Sequence, residues 1–213
     1  NMWLMTGIFL GVMLLLLLAT VGMVLNVPLE RPIILREFRN GQYVIEAYWA
    51  ARCTLAVFAS SVVACIQVPI WWTLMDLPSK NLHGVQFIMA VTTSFYAILG
   101  TIVGMISPDP ITASQNVEPI NATIVMLGGI LVKRRHIKTY LYWLYKSLPV
   151  GYAVESILSY AFENQGEKAE QILDDYDFKA SHTRTNQGIL FVFLGAIILV
   201  GFVLARAVYK ISD

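Results

Sequence analysis

Glu118 is the only charged residue between Ile111 and Val132, an otherwise largely apolar stretch, and Asn116 and Asn121 lie close to it in sequence. An ionised carboxylate in hydrocarbon costs several kcal/mol, so Glu118 is expected to face a protein interior or a water-filled route. The other reading is a protonated or hydrogen-bonded glutamate near the interface, helped by a local break at Pro119. Glu118, Ala122 and Val125 follow the i, i+4, i+7 spacing of one helical face, which makes them candidate lining for a substrate path. Gly128 and Gly129 allow close helix approach, and the following Ile130 and Leu131 could close a narrow passage as a hydrophobic constriction. No phosphate-binding Gly-x-x-x-x-Gly-Lys-Ser/Thr occurs, and His83, His136 and His182 are too scattered to suggest a metal centre. Asn121-Ala122-Thr123 matches a glycosylation sequon, at a depth where modification is not expected.

The elements that would position these residues are apolar. Hydrophobic residues make up 57% of the chain and charged ones 14%, with a mean hydropathy of +0.63; lipid can cover such a surface and water cannot. Fifteen basic and fourteen acidic residues balance to +1, which gives no electrostatic reason to expect nucleic acid as a partner. Met2 to Leu25 has neither charge nor proline and is long enough as a helix to cross a hydrocarbon core of ~30 Å. Further spans are expected at about Ala47–Leu74, Gly84–Ile106, Ile111–Val132 and Gly188–Tyr209. Tyr48 and Trp49 at one end of the second span, and Trp71 and Trp72 at the other, read as aromatic belts. Asp76 to Asn81 is short enough to make the second and third spans antiparallel neighbours, and Ser107-Pro108-Asp109-Pro110 should end the third. Cys53 and Cys65, about 18 Å apart along one helix, read as small packing residues. The start at Asn1 suggests part of a longer chain.

Two connections stand out. Residues 26–46 carry Glu30, Arg31, Arg36, Glu37 and Arg39, and read as a charged helix along the membrane surface, bracketed by Pro28, Pro32 and Gly41. Residues 133–187 begin too apolar for a free loop, but Pro149 and Gly151 divide them into two short re-entrant or interfacial helices. Glu163 to Asn186, with Asp174-Asp175-Tyr176-Asp177, then reads as a solvent-facing cap. The clusters at Arg31 to Arg52 and at Lys133-Arg134-Arg135-His136 compete for the positive side, so charge leaves the orientation open.

The run Glu30-Arg31-Pro32-Ile33-Ile34-Leu35-Arg36-Glu37-Phe38-Arg39-Asn40-Gly41-Gln42-Tyr43, followed by Ala47-Tyr48, resembles the segment after the second membrane helix of G-type (white/pleiotropic-drug-resistance) ABC transporters. Gly128-Gly129-Ile130-Leu131, followed by Trp143-Leu144-Tyr145-Lys146-Ser147-Leu148-Pro149-Val150-Gly151-Tyr152-Ala153, is a second match in the expected order. The resemblance covers essentially the whole chain, from the family's second membrane helix through its sixth.

It implies an all-α polytopic membrane fold, residues 1–213 being one ABC-2 type transmembrane domain with five of the usual six membrane helices. Residues 26–46 would be the cytoplasmic coupling segment, with Glu30, Arg36, Glu37 and Arg39 contacting a nucleotide-binding domain that carries ATP and Mg. Arg52 is a possible partner of Glu30. The cap then lies outside. Leu15, Leu18, Ser61, Glu118, Ala122 and Val125 would border a substrate path at a homo- or heterodimer interface, beneath a valve of Ile130 and Leu131. The function implied is ATP-driven export or flipping of sterols, phospholipids or other amphipathic compounds across a plasma or organelle membrane. The ATP-binding domain and first membrane helix of the family lie outside the sequence, and the outer loop lacks the cysteines and sequon of some animal members. A truncated homologue serving as a structural or assembly subunit is the alternative, and a channel is a weaker one, since no continuous polar stripe is evident.

Overall fold

The computed structural model describes residues 2–77, 79–128, 139–162 and 183–210. They form helices α1 (Met2–Arg39), α2 (Ile45–Leu74), α3 (Leu82–Ile106), α4 (Pro110–Leu127), α5 (Thr139–Lys146), α6 (Pro149–Phe162) and α7 (Thr183–Lys210), with one 3₁₀ turn at Ser79–Asn81. Among the described residues there is no strand. Four helices, α1, α2, α3 and α7, are long and apolar enough to cross a membrane.

Helix α3 is the hub, and its side chains are buried on almost every side. Its threonine and serine hydroxyls satisfy themselves: Thr92, Thr93, Ser94 and Thr101 donate to the carbonyls of Ile88, Met89, Ala90 and Ala97 at 2.6–3.0 Å, so the helix carries these polar side chains into the interior with their hydrogen bonds made. Gly100 and Gly104, one turn apart, let α1 approach closely. A Cβ at Gly100 would collide with the backbone oxygen of Thr20, and one at Gly104 would lie 2.9 Å from Val27 Cβ and 3.1 Å from the Val24 oxygen. This Gly-x-x-x-Gly pair is the small-residue spacing that brings membrane helices together.

Three expectations are corrected. The first span and the charged segment 26–46 are not separate: α1 runs unbroken through Pro28 and Pro32 for 38 residues, about 57 Å. Proline at 28 deprives the Val24 carbonyl of its helical N–H, and Gly104 allows α3 to pack over that spot. Beyond it, Arg31 Nη1 donates to the Ser107 carbonyl oxygen at 3.3 Å, fastening the charged end of α1 to the end of α3. The break comes instead at Gly41, whose φ of +67° follows two closing bonds, Gly41 N to Phe38 O at 2.9 Å and Gln42 N to Glu37 O at 3.1 Å.

The fourth span expected at Ile111–Val132 is represented by α4, whose 18 described residues give about 27 Å and which is not among the four apolar spans. It runs through Pro119 without interruption, starting at Asp109, which accepts from Thr112 N at 3.0 Å and Thr112 Oγ1 at 2.7 Å. The tryptophans, finally, are core residues rather than belts. Trp49 is 3% exposed and Trp72 1%. Trp49 lies over Gly201 of α7 and donates from Nε1 to the Ile198 oxygen at 3.0 Å, while Trp71 packs on Gly11 of α1.

Other expectations hold. The α2–α3 connection is short and the two helices pack together along their length. Two short helices, α5 and α6, meet at Pro149, and Gly151 leaves room for the Tyr145 ring, 3.1 Å from where a Cβ would stand. Cys53 is buried and Cys65 exposed, both as free thiols.

Replacing Gly100 with alanine should separate α1 from α3 and cost about 1–3 kcal/mol, lowering the midpoint of thermal unfolding in detergent; Gly195→Ala, where a Cβ meets nothing within 4 Å, should leave it in place. The hydrogen bonds from Thr112 hold the Asp109 carboxyl below its ordinary pKa. Its capping contribution is therefore present above the ordinary carboxylate value and lost as pH falls through the lowered one. Asp109→Ala should lower the Tm at neutral pH, and the gap from wild type should close below about pH 4.

Candidate functional site

The sequence-derived path residues fall on three different surfaces. Leu15 and Leu18 of α1 line a groove of about 380 Å³ bounded by Ala19, Gly22, Met23 and Asn26 on α1, Ala59, Ser60 and Val63 on α2, and Thr93 and Ala97 on α3. It exists because α1 and α2 both pack on α3 and barely touch each other. Ser60, rather than Ser61, lines it; Ser61 turns its hydroxyl onto the Val57 oxygen at 2.7 Å.

Glu118 and Ala122 lie outside this groove, in an exposed stripe of α4 with Ile111, Gln115 and Met126. Val125 is half-buried against the main core. The two asparagines do not join Glu118: Asn116 Nδ2 donates to Ser107 Oγ at 3.2 Å, and Asn121 is 9% exposed and turned inward. The other side of α4 packs on α1, where Ala113 and Val117 meet Val24, and where Gly128 has no room for a side chain beside Phe9 and Met13. Leu10, Leu14, Val21 and Leu25 of α1 are left exposed. A carboxylate thus stands in an exposed stripe of α4 that the described residues leave uncovered.

The buried acidic side chain among the described residues is Glu155, 5% exposed on α6. The sequence argument applied to Glu118, a carboxylate in an apolar run, would have found it equally.

At the other end of α1 the charges are organised. Arg52 of α2, with a side chain 13% exposed, forms an ion pair with Glu30, as the sequence had suggested. The Arg52 guanidinium also donates from Nε to the Tyr48 hydroxyl at 3.2 Å and lies 5.5 Å from the Tyr48 ring centre. Tyr43 donates to Glu37 at 2.6 Å, and burial, with Glu37 beside it, pushes the Tyr43 phenol up to about 12. Phe38 packs edge to face on Tyr43, Tyr48 and Tyr209 around the hinge between α1 and α2, its ring centre 5.0–5.8 Å from theirs. Arg206 of α7 forms a two-pronged ion pair with Glu46 at the start of α2. Arg36 and Arg39 point outward and are exposed.

The family model for the ABC-2 type transporter matches residues 2–162, which takes in the groove, the α4 stripe and the charged end of α1 together. The chain belongs to this family. Its helices therefore make an integral, multi-pass ABC-2 membrane domain, the transmembrane component of an ABC exporter, and such a domain associates with an ATP-binding component.

Two sets of expected residues of the ABC-2 domain, the valve pair Ile130 and Leu131 and most of the cap at Glu163–Asn186, lie outside the described residues. Among the described residues no group of three or more histidine, cysteine or acidic side chains is placed to hold a metal ion.

The Glu30–Arg52 pair ties α1 to α2 where one partner is largely buried, so removing the carboxylate leaves a cation without its counter-charge. Glu30→Ala and Arg52→Ala should each destabilise, and a double-mutant cycle read by thermal unfolding should return a coupling of about 0.5–3 kcal/mol.

Proposed function

We propose that this chain is the membrane half of an ATP-driven exporter of the G-type subfamily, moving lipids, sterols or amphipathic compounds. The observation that carries the reading is the continuity of α1. One unbroken helix joins the exposed surface around Leu14 to the charged end at Glu37, and Arg31 and the Glu30–Arg52 pair fix that end to its neighbours. Displacement of the exposed Arg36 and Arg39 by a nucleotide-binding domain would therefore reach the membrane surface without a flexible joint between. In this reading that charged end is cytoplasmic, and ATP with Mg is bound by the associated domain.

The exposed α1–α4 surface is the place for a second transmembrane domain, in a homo- or heterodimer. Two such surfaces facing each other would enclose Glu118 from either side, with Ala122 beside it. An apolar cavity with a carboxylate at its wall favours amphiphiles that carry a polar or cationic group, because the pair replaces two separate desolvation costs with one neutral contact. Leu15 and Leu18 border the neighbouring groove, and Ile130 and Leu131 are assigned to the valve beyond.

Cross-linking tests the arrangement. With Cys65 replaced by serine, Met126→Cys on the α4 stripe should form an oxidative dimer in membranes, and Leu199→Cys on α7 should not. Equal cross-linking at both positions would overturn the interface. Glu118→Gln should reduce export of a cationic amphiphile roughly tenfold, the loss of about 1.4 kcal/mol, while export of an uncharged one changes far less.

A further inference from the structure

A second cavity, about 430 Å³, opens between the last turns of α1 and the first turns of α2, away from the α4 stripe. Glu37 and Tyr43 line its outer part, Glu30, Tyr48 and Arg52 its inner part, and Leu55 lies beyond. Three features give this cavity a direction. Its charges are unequal: Arg52 answers Glu30, whereas Glu37 is met by the Tyr43 hydroxyl and by no basic side chain among the described residues. Its outer carboxylate lies two turns further out along α1 than the ion pair, about 10 Å. Its rim is aliphatic, with Ile33 52% and Leu55 53% exposed.

The cavity also straddles a membrane boundary. Glu30 is the first charged residue that α1 reaches after its apolar run, and Arg52 is the last one on α2 before its own run begins. Read from the surface inward, the lining offers an anion with an aromatic ring, then a guanidinium, then aliphatic side chains. A zwitterionic phospholipid presents the complementary order: an ammonium, then a phosphodiester, then acyl chains. We infer that this cavity seats the headgroup of an ammonium-bearing phospholipid, with its ammonium at Glu37 and Tyr43, its glycerol region past Ile33 and its chains along Leu55. A phospholipid without an ammonium would leave Glu37 without a counter-charge and carry an uncompensated phosphodiester into a cavity lined by two carboxylates and one guanidinium, so the site discriminates by charge. Aromatic rings and carboxylates are the groups that hold alkylammonium ions in proteins generally.

The inference concerns binding and stands whether or not the chain transports anything. The delipidated protein, mixed with equal amounts of dioleoyl phosphatidylcholine and dioleoyl phosphatidylglycerol, should retain phosphatidylcholine in its first bound adduct by about threefold or more in native mass spectrometry, the ratio expected of one partly exposed charge contact. Glu37→Gln should level the two lipids and Glu37→Lys should favour phosphatidylglycerol, with the thermal midpoint confirming that each variant is folded. In the unmutated protein, phosphatidylcholine carrying a diazirine near its glycerol should cross-link to peptides containing Ile33 or Leu55, and soluble phosphocholine should not displace it. Equal retention of the two lipids, a preference unchanged by both variants, cross-links confined to other segments, or displacement by phosphocholine alone would each overturn the assignment, as would a basic protein segment found covering Glu37.

Discussion

Helices in lipid gain nothing from hiding apolar side chains from one another, because hydrocarbon is already around them. They hold together where backbones come close and polar groups find partners, and in this protein both conditions meet on α3. Gly100 and Gly104 bring α1 to the α3 backbone, while threonine and serine hydroxyls fold back onto carbonyls of their own helix. The other described long helices each pack on α3, and the groove between α1 and α2 is the space left because both use the same support.

The same economy explains the charged end of the molecule. Beyond the apolar spans, water is present on one side only, so each ion pair and aromatic contact there must set the angle at which a helix leaves the membrane. The turn at Gly41, the ring cluster around Phe38 and the Arg206–Glu46 pair do this jointly for α1, α2 and α7. Membership in the ABC-2 family implies association with an ATP-binding component.

Span positions were legible because hydropathy over twenty residues is a strong signal, and the two short helices because Pro149 marks a start that nothing else competes for. The Glu30–Arg52 pair was legible as charge opposite charge at one boundary. Pro28 and Pro32 misled because proline is judged by the helix it sits in, whereas the compensation comes from Gly104 on another helix, more than seventy positions along the chain. The tryptophans misled for a related reason: their positions in sequence matched a boundary, but Gly11 and Gly201 make room for them inside. At the candidate site, the spacing rule placed Glu118 and Ala122 together correctly and included Val125, which the packing of α4 turns inward. Asn116 and Asn121 are sequence neighbours of Glu118 whose partners lie elsewhere, a distinction that only the neighbouring turn at Ser107 and the inward face of α4 could make.

The contact between Gly100 and Thr20 divides α1 into two arms of nearly equal length, with nineteen residues on the Arg39 side, about 28 Å. Once the Arg31–Ser107 and Glu30–Arg52 contacts let go, a rod held near its middle works as a seesaw. Tilting it by about 10° around that fulcrum would swing the Arg39 tip by roughly 5 Å and the opposite tip by a similar distance the other way, given a rise of 1.5 Å per residue. Such a geometry trades no amplitude for force, and it makes the two membrane faces move in antiphase.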